Sequence, residues 1–237
     1  MALPFFYLEE IGADEIRLDE DTSKHVVSVL RMKEGERLNI TDGIGNLFEA
    51  AISEAHKKKC AVKIIERKFT PADGRKTIIG ISILKNTSRF EWFLEKATEI
   101  GISEIIPLMC DRTEKEHFRY DRMKGILVSA LLQSQQVWLP VLHQPVGFGQ
   151  LLRQEEINGI EQRFIAHCLP DQKNNLAGVV GKSKPAQIVL IGPEGDFTKE
   201  EIDFALKYHF IPVSLGNTRL RTETAGVVAA TLLRINP

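Results

Sequence analysis

The stretch QIVLIGPEGDFTKEEIDFAL, residues 187–206, decides the fold. Ile188 to Ile191 form an uninterrupted apolar run, as a strand covered on both faces requires. The chain turns at Gly192-Pro193-Glu194-Gly195 and restarts as a helix. Thr198 and Glu201 have the spacing of a capping box, and Ile202, Ala205 and Leu206 form an apolar stripe. A buried strand feeding directly into a helix points to α/β architecture with a parallel sheet. The turn lies where open α/β sheets bind ligands, because backbone groups at strand ends are unpaired and glycine permits close approach. Taken alone, such a turn also arises for purely geometric reasons.

A second strand-to-helix turn follows in VSLGNTRLRTETAGVVAATLL, residues 213–233, where a strand ends at Leu215-Gly216. Its helix is rich in small residues, Ala225, Gly226, Ala229 and Ala230, which suit close approach to a neighbour. Thr222 or Thr224 as N-cap, with Glu223 in the first turn, accounts for the helix start. It does not account for Arg219 and Arg221, which oppose the helix dipole and fit an anion such as phosphate.

Upstream, TIIGISIL (77–84) is a further buried strand. The next helix has Ser88 and Glu91 as a capping box, a stripe of Phe90, Phe93, Leu94 and Ala97, and Gly101 as its stop. SEIIPLM (103–109) is the following strand, and a helix is expected from about Tyr120 to Gln136. RFIAHCL (163–169) and IPVSLG (211–216) are short apolar runs. The segment FTPADGRK (69–76), with little to bury, is the best linker and sets the expected domains at 1–70 and 71–237.

Before that linker the rhythm is β-rich: FFYL (5–8), RLNITD (37–42), LFEAAIS (47–53) and CAVKIIER (60–67). Asp42-Gly43 and Gly45-Asn46 supply a hairpin turn. TSKHVVSVLR (22–31) has a Thr/Ser start and Val26, Val29 and Leu30 at helical spacing, with Arg31 at the helix end.

Cys60, Cys110 and Cys168 are odd in number and far apart, which supports neither a disulfide framework nor a structural zinc site; no metal is expected. No apolar run approaches the roughly 20 residues of a bilayer span, and no signal peptide is apparent, so a cytoplasmic location without membrane partners is expected. The net charge of −1 gives no global nucleic-acid footprint. A local basic stretch runs from Lys57 to Lys76, equally readable as a solvated strand edge.

Four strings, IGPEGDFTKEE (191–201), LGNTRLRTETA (215–225), SILKNTSRFEWFLEKATEIGI (82–102) and HVVSVLRMKEGERL (25–38), resemble the RsmE family of 16S rRNA (uridine-N3)-methyltransferases, of the SPOUT class. The resemblance implies a C-terminal SPOUT-type α/β domain with a trefoil knot and a small N-terminal β-rich, PUA-like RNA-binding domain. It implies a homodimer that uses S-adenosyl-L-methionine to methylate uridine N3 in 16S rRNA of the small ribosomal subunit. Carried onto this chain, the methyl-donor cleft comprises Leu84, the loop Ile191, Gly192, Pro193, Glu194 and Gly195, and the loop residues Leu215, Gly216, Leu220, Arg221 and Thr222. Arg221 is the expected stabiliser of the uracil anion and Glu223 the candidate proton acceptor. His25, Arg31, Lys85, Arg89 and Arg219 are the expected RNA contacts. ALLQSQQVWLP (130–140) departs from the family, with Gln135, Gln136 and Val137 where a glycine and an arginine are usual.

Two other readings stay open. One is a non-catalytic RNA-binding ribosome-assembly protein, and the other a SPOUT methyltransferase acting on another RNA position. A Rossmann-type nucleotide enzyme is disfavoured, because no GxGxxG follows an early strand.

Overall fold

A computed structural model describes residues 3–114, 117–170, 173–181 and 185–235. The chain forms two compact units, Met1–Ala72 with Leu131–Leu139, and Asp73–Ala130 with Pro140–Pro237.

The first unit contains β1 (Phe5–Tyr7), β2 (Glu15–Arg17), α1 (Glu20–Lys24), β3 (Arg37–Thr41), β4 (Asn46–Glu54) and β5 (Ala61–Phe69). Its sheet runs β1-β3-β4-β5-β2, with β1 parallel to β3 and the other pairs antiparallel. Alternating residues such as Leu38, Ile40, Ala50, Ile52 and Val62 fill its core together with Phe6 and Val26. The hairpin turn places Gly43 at φ +74° and Gly45 at φ +99°. A Cβ on Gly45 would come within 2.7 Å of the Trp138 ring and 2.8 Å of the Phe69 ring. The segment 131–139 docks here: Gly45 N donates to Val137 O at 2.8 Å, and Trp138 Nε1 donates to Thr70 O at 2.9 Å.

The early helix differs from its expected form. Asp19, not a Thr or Ser, caps it by accepting from Thr22 N at 2.8 Å. That backbone hydrogen bond holds the Asp19 carboxyl below the usual carboxylate range. From His25 to Val29 the helix widens into a π-turn. Of the expected stripe only Val26 is buried, while Val29 and Leu30 are exposed, because the wider turn moves the next positions off the core face. Strand β2, three residues of alternating Glu, Ile and Arg, is too short to leave a sequence pattern.

The second unit contains β6 (Lys76–Ser82), α2 (Thr87–Ile100), β7 (Glu104–Met109), α3 (Tyr120–Ser134), β8 (Val141–Leu142), β9 (Val146–Gly147), α4 (Phe148–Leu152), α5 (Glu155–Asn158), β10 (Gln162–Ala166), β11 (Asn174–Asn175), α6 (Leu176–Val179), β12 (Ala186–Ile191), α7 (Lys199–Lys207), β13 (Ile211–Ser214) and α8 (Thr222–Ile235). The end of α3 counts with the first unit. The strand order is β11-β13-β10-β12-β6-β7-β8, with β9 also pairing β7, and every pairing is parallel. Ile78, Ile188, Leu190, Ile165 and Phe197 belong to one core cluster of this unit.

Two local expectations are refined, the cap of α2 and the stripe of α7, and the others hold. Asn86, rather than Ser88, caps α2 by accepting from Ser88 N at 3.0 Å. Glu91 is instead drawn to Arg122, 2.5 Å away, so no capping box closes there. Phe90, Phe93, Leu94 and Ala97 are buried and Gly101 ends the helix at φ +88°, both as the spacing predicts. The Thr198–Glu201 capping box forms, and Glu201 also accepts from Asp111 N at 3.0 Å. Leu206 lies exposed, because α7 turns Ile202 and Ala205 inward and packs Phe204 along its flank.

Glu104 ties the edge of this sheet together. Burial alone would raise its carboxyl, but hydrogen bonds from His143 Nε2 at 2.8 Å and Lys76 Nζ at 2.6 Å outweigh burial and hold it below its ordinary 4.5. A carboxyl depressed in the folded state contributes stability above its unfolded value and loses it as pH falls through the folded one. Wild-type stability is therefore expected to fall below about pH 4.5 more steeply than that of Glu104→Gln. Chemical denaturation of both proteins between pH 3 and 7 checks this; parallel curves would refute it.

Candidate functional site

Adjacent parallel strands β13, β10 and β12 end at Ser214, Ala166 and Ile191. Parallel strands present their carboxyl ends on one edge, so the three following loops open on the same side. Together they wall a cavity of about 600 Å³, within the roughly 300–1,000 Å³ range of small-molecule sites.

The two turns read in the sequence meet at this cavity. Ile191, Gly192, Pro193 and Glu194 line it from one side, and Leu215, Gly216, Arg219, Leu220, Arg221 and Thr222 from another. Gly192 lies in a tight turn, where a Cβ would stand 3.0 Å from Phe197 N and 3.1 Å from the Phe197 ring, so a side chain would press on both. Gly216 adopts φ +133° with open space around it, a conformation that side chains rarely take. The Arg221 carbonyl accepts from Ala225 N at 2.8 Å, so Arg221 precedes the first turn of α8.

Other expected residues lie off this wall. Gly195 is not in the lining; its carbonyl accepts from Arg112 Nη1 at 2.6 Å. Leu84 is fully buried and is not part of the lining. Lys85 is exposed and pairs with Glu114 at 2.6 Å, whereas Arg89, one helical turn on, reaches the cavity. Glu223 is 7% exposed and absent from the lining, its Oε1 lying 3.7 Å from Arg89 Nε and its buried Oε2 making no hydrogen bond. His25 and Arg31 are exposed on the first unit, Arg31 at φ +57°.

The third wall was not singled out in the sequence. Ala166, His167 and Cys168 come from the end of β10, with Lys173 and Asp196 beside them. Asp196 takes φ +65° and accepts from Cys168 N at 2.7 Å, linking the loops after β12 and β10. Lys173 Nζ donates to His167 O at 2.8 Å and to Leu169 O. Only the strand order, which sets β10 between β13 and β12, reveals this wall.

The lining carries Arg89, Lys173, Arg219 and Arg221 against Glu194 and Asp196. Arg219 and Arg221 have no ion-pair partner among the described residues, so the site is poised for an anionic or polarised ligand. The Lys57–Lys76 stretch is less basic than its sequence: Lys58, Arg67, Arg75 and Lys76 are paired with Glu20, Asp14, Asp73 and Glu104. No helix among the described residues is long and apolar enough to cross a membrane.

Known proteins share this fold. Residues 72–234 match a family described as RNA methyltransferase domain, and 18–65 one described as RNA methyltransferase PUA domain. A ribosomal RNA small subunit methyltransferase E from Synechocystis is 32% identical over 96% of this chain and 75% of its own length. The crystal structure of a probable rRNA-methyltransferase from Porphyromonas gingivalis superposes with a TM-score of 0.89 at 34% identity, covering 98% of this chain and 99% of that one. A putative methyltransferase from Legionella pneumophila, solved with bound SAM, gives 0.87 at 27% identity over 99% and 98%. Fold and sequence therefore agree, and the chain belongs to the RNA methyltransferase family, alongside the ribosomal RNA small subunit methyltransferase E proteins.

Proposed function

We propose that this protein transfers a methyl group from S-adenosyl-L-methionine to uridine N3 in 16S rRNA of the small ribosomal subunit. The observation that carries this reading is the meeting of the Ile191–Glu194 and Leu215–Thr222 turns on one cavity with unpaired arginines. Its residues fit the donor. The volume suits a nucleoside-sized molecule, Gly216 leaves open space, and the wall offers cations for a carboxylate and acids for a cationic sulfonium. Ile191 to Glu194, Leu215, Gly216, Leu220 and Thr222 would hold it. When bound, it supplies an electrophilic methyl group.

The chain then has to orient the base and manage one proton. Uracil N3 loses its proton as it reacts, and the resulting charge spreads onto the flanking carbonyl oxygens. Arg221 faces the cavity with an unpaired guanidinium and stabilises that charge. Glu223 remains the proposed acceptor of that proton: it sits just off the lining, its Oε1 is 3.7 Å from Arg89 Nε, and its Oε2 makes no hydrogen bond. Arg219 and Lys85 remain proposed RNA contacts, with His25 and Arg31 on the PUA-like unit. The trefoil knot, the homodimer and the cytoplasmic location belong to the same reading and rest on the motif resemblance. Light scattering tests the dimer.

Incubating hypomethylated small subunits with the protein and labelled S-adenosyl-L-methionine, then mapping the product, tests the reaction. Label at a uridine base of 16S rRNA is expected. Label on ribose or on tRNA, or none, overturns the assignment.

The cavity makes one more expectation. Cys168 is exposed on its wall, whereas burial raises the thiols of Cys60 and Cys110 above their usual range. Iodoacetamide, which attacks thiolates, is expected to modify Cys168, spare the other two, and block donor uptake. Mass spectrometry with a binding titration checks it; full uptake by the modified protein would place the donor elsewhere.

A further inference from the structure

We infer that Asp196 selects the methyl donor: its carboxylate fastens the third wall of the cavity to the turn after β12 and supplies the negative charge that favours a cationic sulfonium over the neutral thioether product. The inference deepens the donor site proposed above and rests on that reading for the ligand.

The residue occupies a costly backbone. Asp196 stands at φ +65°, where glycine rests freely and a side chain is strained. Its amide donates to Pro193 O at 2.9 Å, closing the turn, and the next residue, Phe197, is anchored in the core at 1% exposure. The carboxylate is therefore carried on a fixed point. Its Oδ1 accepts from Phe197 N at 2.9 Å and its Oδ2 from Cys168 N at 2.7 Å, so each oxygen serves one loop. Glycine would relieve the strain but offers neither acceptor. Asparagine tolerates the left-handed backbone as well as aspartate does, yet its NH2 group cannot accept from the second amide. The third wall has another fastening, because Lys173 Nζ donates to His167 O at 2.8 Å and to Leu169 O. Residues 167–169 are thus gripped by both an acid and an ammonium group before any ligand arrives.

Charge then decides what the cavity prefers. A sulfonium is positive at every pH and carries no N–H, so no hydrogen bond that it donates can identify it. A fixed negative charge distinguishes it from a thioether of nearly the same shape. Two acids, Glu194 and Asp196, belong to the lining. Glu194 is exposed and close enough to Lys85 to be attracted by it. Asp196 is half-buried, immobilised by its two amides, and without an ion-pair partner among the described residues. Its charge is the one left for a ligand, and partial burial limits its screening by salt. Methyl transfer breaks the carbon–sulfur bond, leaves the bonding pair on sulfur and makes sulfur neutral. The attraction ends at that moment, which eases release of the spent cofactor.

Calorimetric titration of the full chain with S-adenosylmethionine and with S-adenosylhomocysteine tests this. In Asp196→Asn, and equally in Asp196→Gly, which suits the backbone, the donor should lose about fivefold more affinity than the product, as expected for one partly screened charge. Lys173→Met loosens the same segment without removing a negative charge, and it should weaken both ligands with no greater loss for the donor. With no ligand present, the Cys168 amide should exchange its hydrogen faster in Asp196→Gly than in the wild type. Equal losses for donor and product in the Asp196 variants, or a donor-selective loss in Lys173→Met, would overturn selection by charge. Unchanged exchange at Cys168 would overturn the fastening. A protein that shows the expected ratios but transfers no methyl group to RNA would instead sink the methyl-transfer reading and leave this inference standing, whereas a wild type that binds neither ligand would sink both.

Discussion

Replacing Arg221 by Ala is expected to slow methyl transfer by about 10²–10³ and leave the fold untouched. The side chain is exposed on the cavity wall and has no ion-pair partner among the described residues, so removing it breaks nothing within the protein. Exposed substitutions of this kind usually change stability by less than about 0.5 kcal/mol. In the proposed reaction the loss falls on the charge that develops at the uracil oxygens. Removing one preorganised donor from such a position costs about 10²–10³ in kcat. Arg221→Lys should recover only part of this, because a compact ammonium cannot span two oxygens as a guanidinium fork does. Single-turnover kinetics with labelled donor, beside a melting curve, separate the two effects. Normal turnover in Arg221→Ala removes this residue from the mechanism; lost turnover with a collapsed melting temperature shows a structural role.

Gly226→Val is expected to be the most damaging small substitution in the second unit. Gly226 lies in α8 where the helix crosses α2 and β6, and a Cβ there would stand 2.6 Å from the Phe93 ring and 2.9 Å from Ile81 Cδ1. Phe93 is fully buried, so its ring has no free space to move into. Gly226→Ala sets two effects against each other. Alanine favours a helix by about 1 kcal/mol over glycine, but forcing extra atoms into a packed core costs about 1–3 kcal/mol. The contact is short enough for overpacking to win, with a net loss of roughly 1 kcal/mol for alanine and more for valine. Urea denaturation measures both. Phe93→Leu should recover part of the loss in a double-mutant cycle, since the two residues touch. A stabilised Gly226→Ala would show that α8 stands further from α2 than these distances indicate.

Features held within one segment were legible beforehand. The Thr198–Glu201 box, the Gly101 stop, the Phe90–Ala97 stripe and the Gly43/Gly45 hairpin each depend on residues close together in the chain, and each formed. Local patterns failed where a distant group competed. Glu91 left its expected cap for Arg122, 31 residues on, and Asn86 served as the cap instead. The π-turn after Lys24 broke the 3.6-residue count, so Val29 and Leu30 turned outward. The short polar strand β2 takes its identity from pairing with β5, which no pattern within Glu15–Arg17 encodes.

The candidate site divides along the same line. The sequence by itself determined that two glycine-bearing strand-to-helix turns exist and that arginines flank the second, because a strand end, a turn and a helix cap are set by neighbouring residues. Tertiary structure decided that those turns share a cavity, that the end of β10 with Cys168 supplies its third wall, and that Glu223 stands off the lining beside Arg89. It also decided that residues 131–139 pack with the first unit. Strand order and docking are chosen by which apolar faces bury together, a sum over contacts far apart in the chain, and no window of local sequence contains that sum.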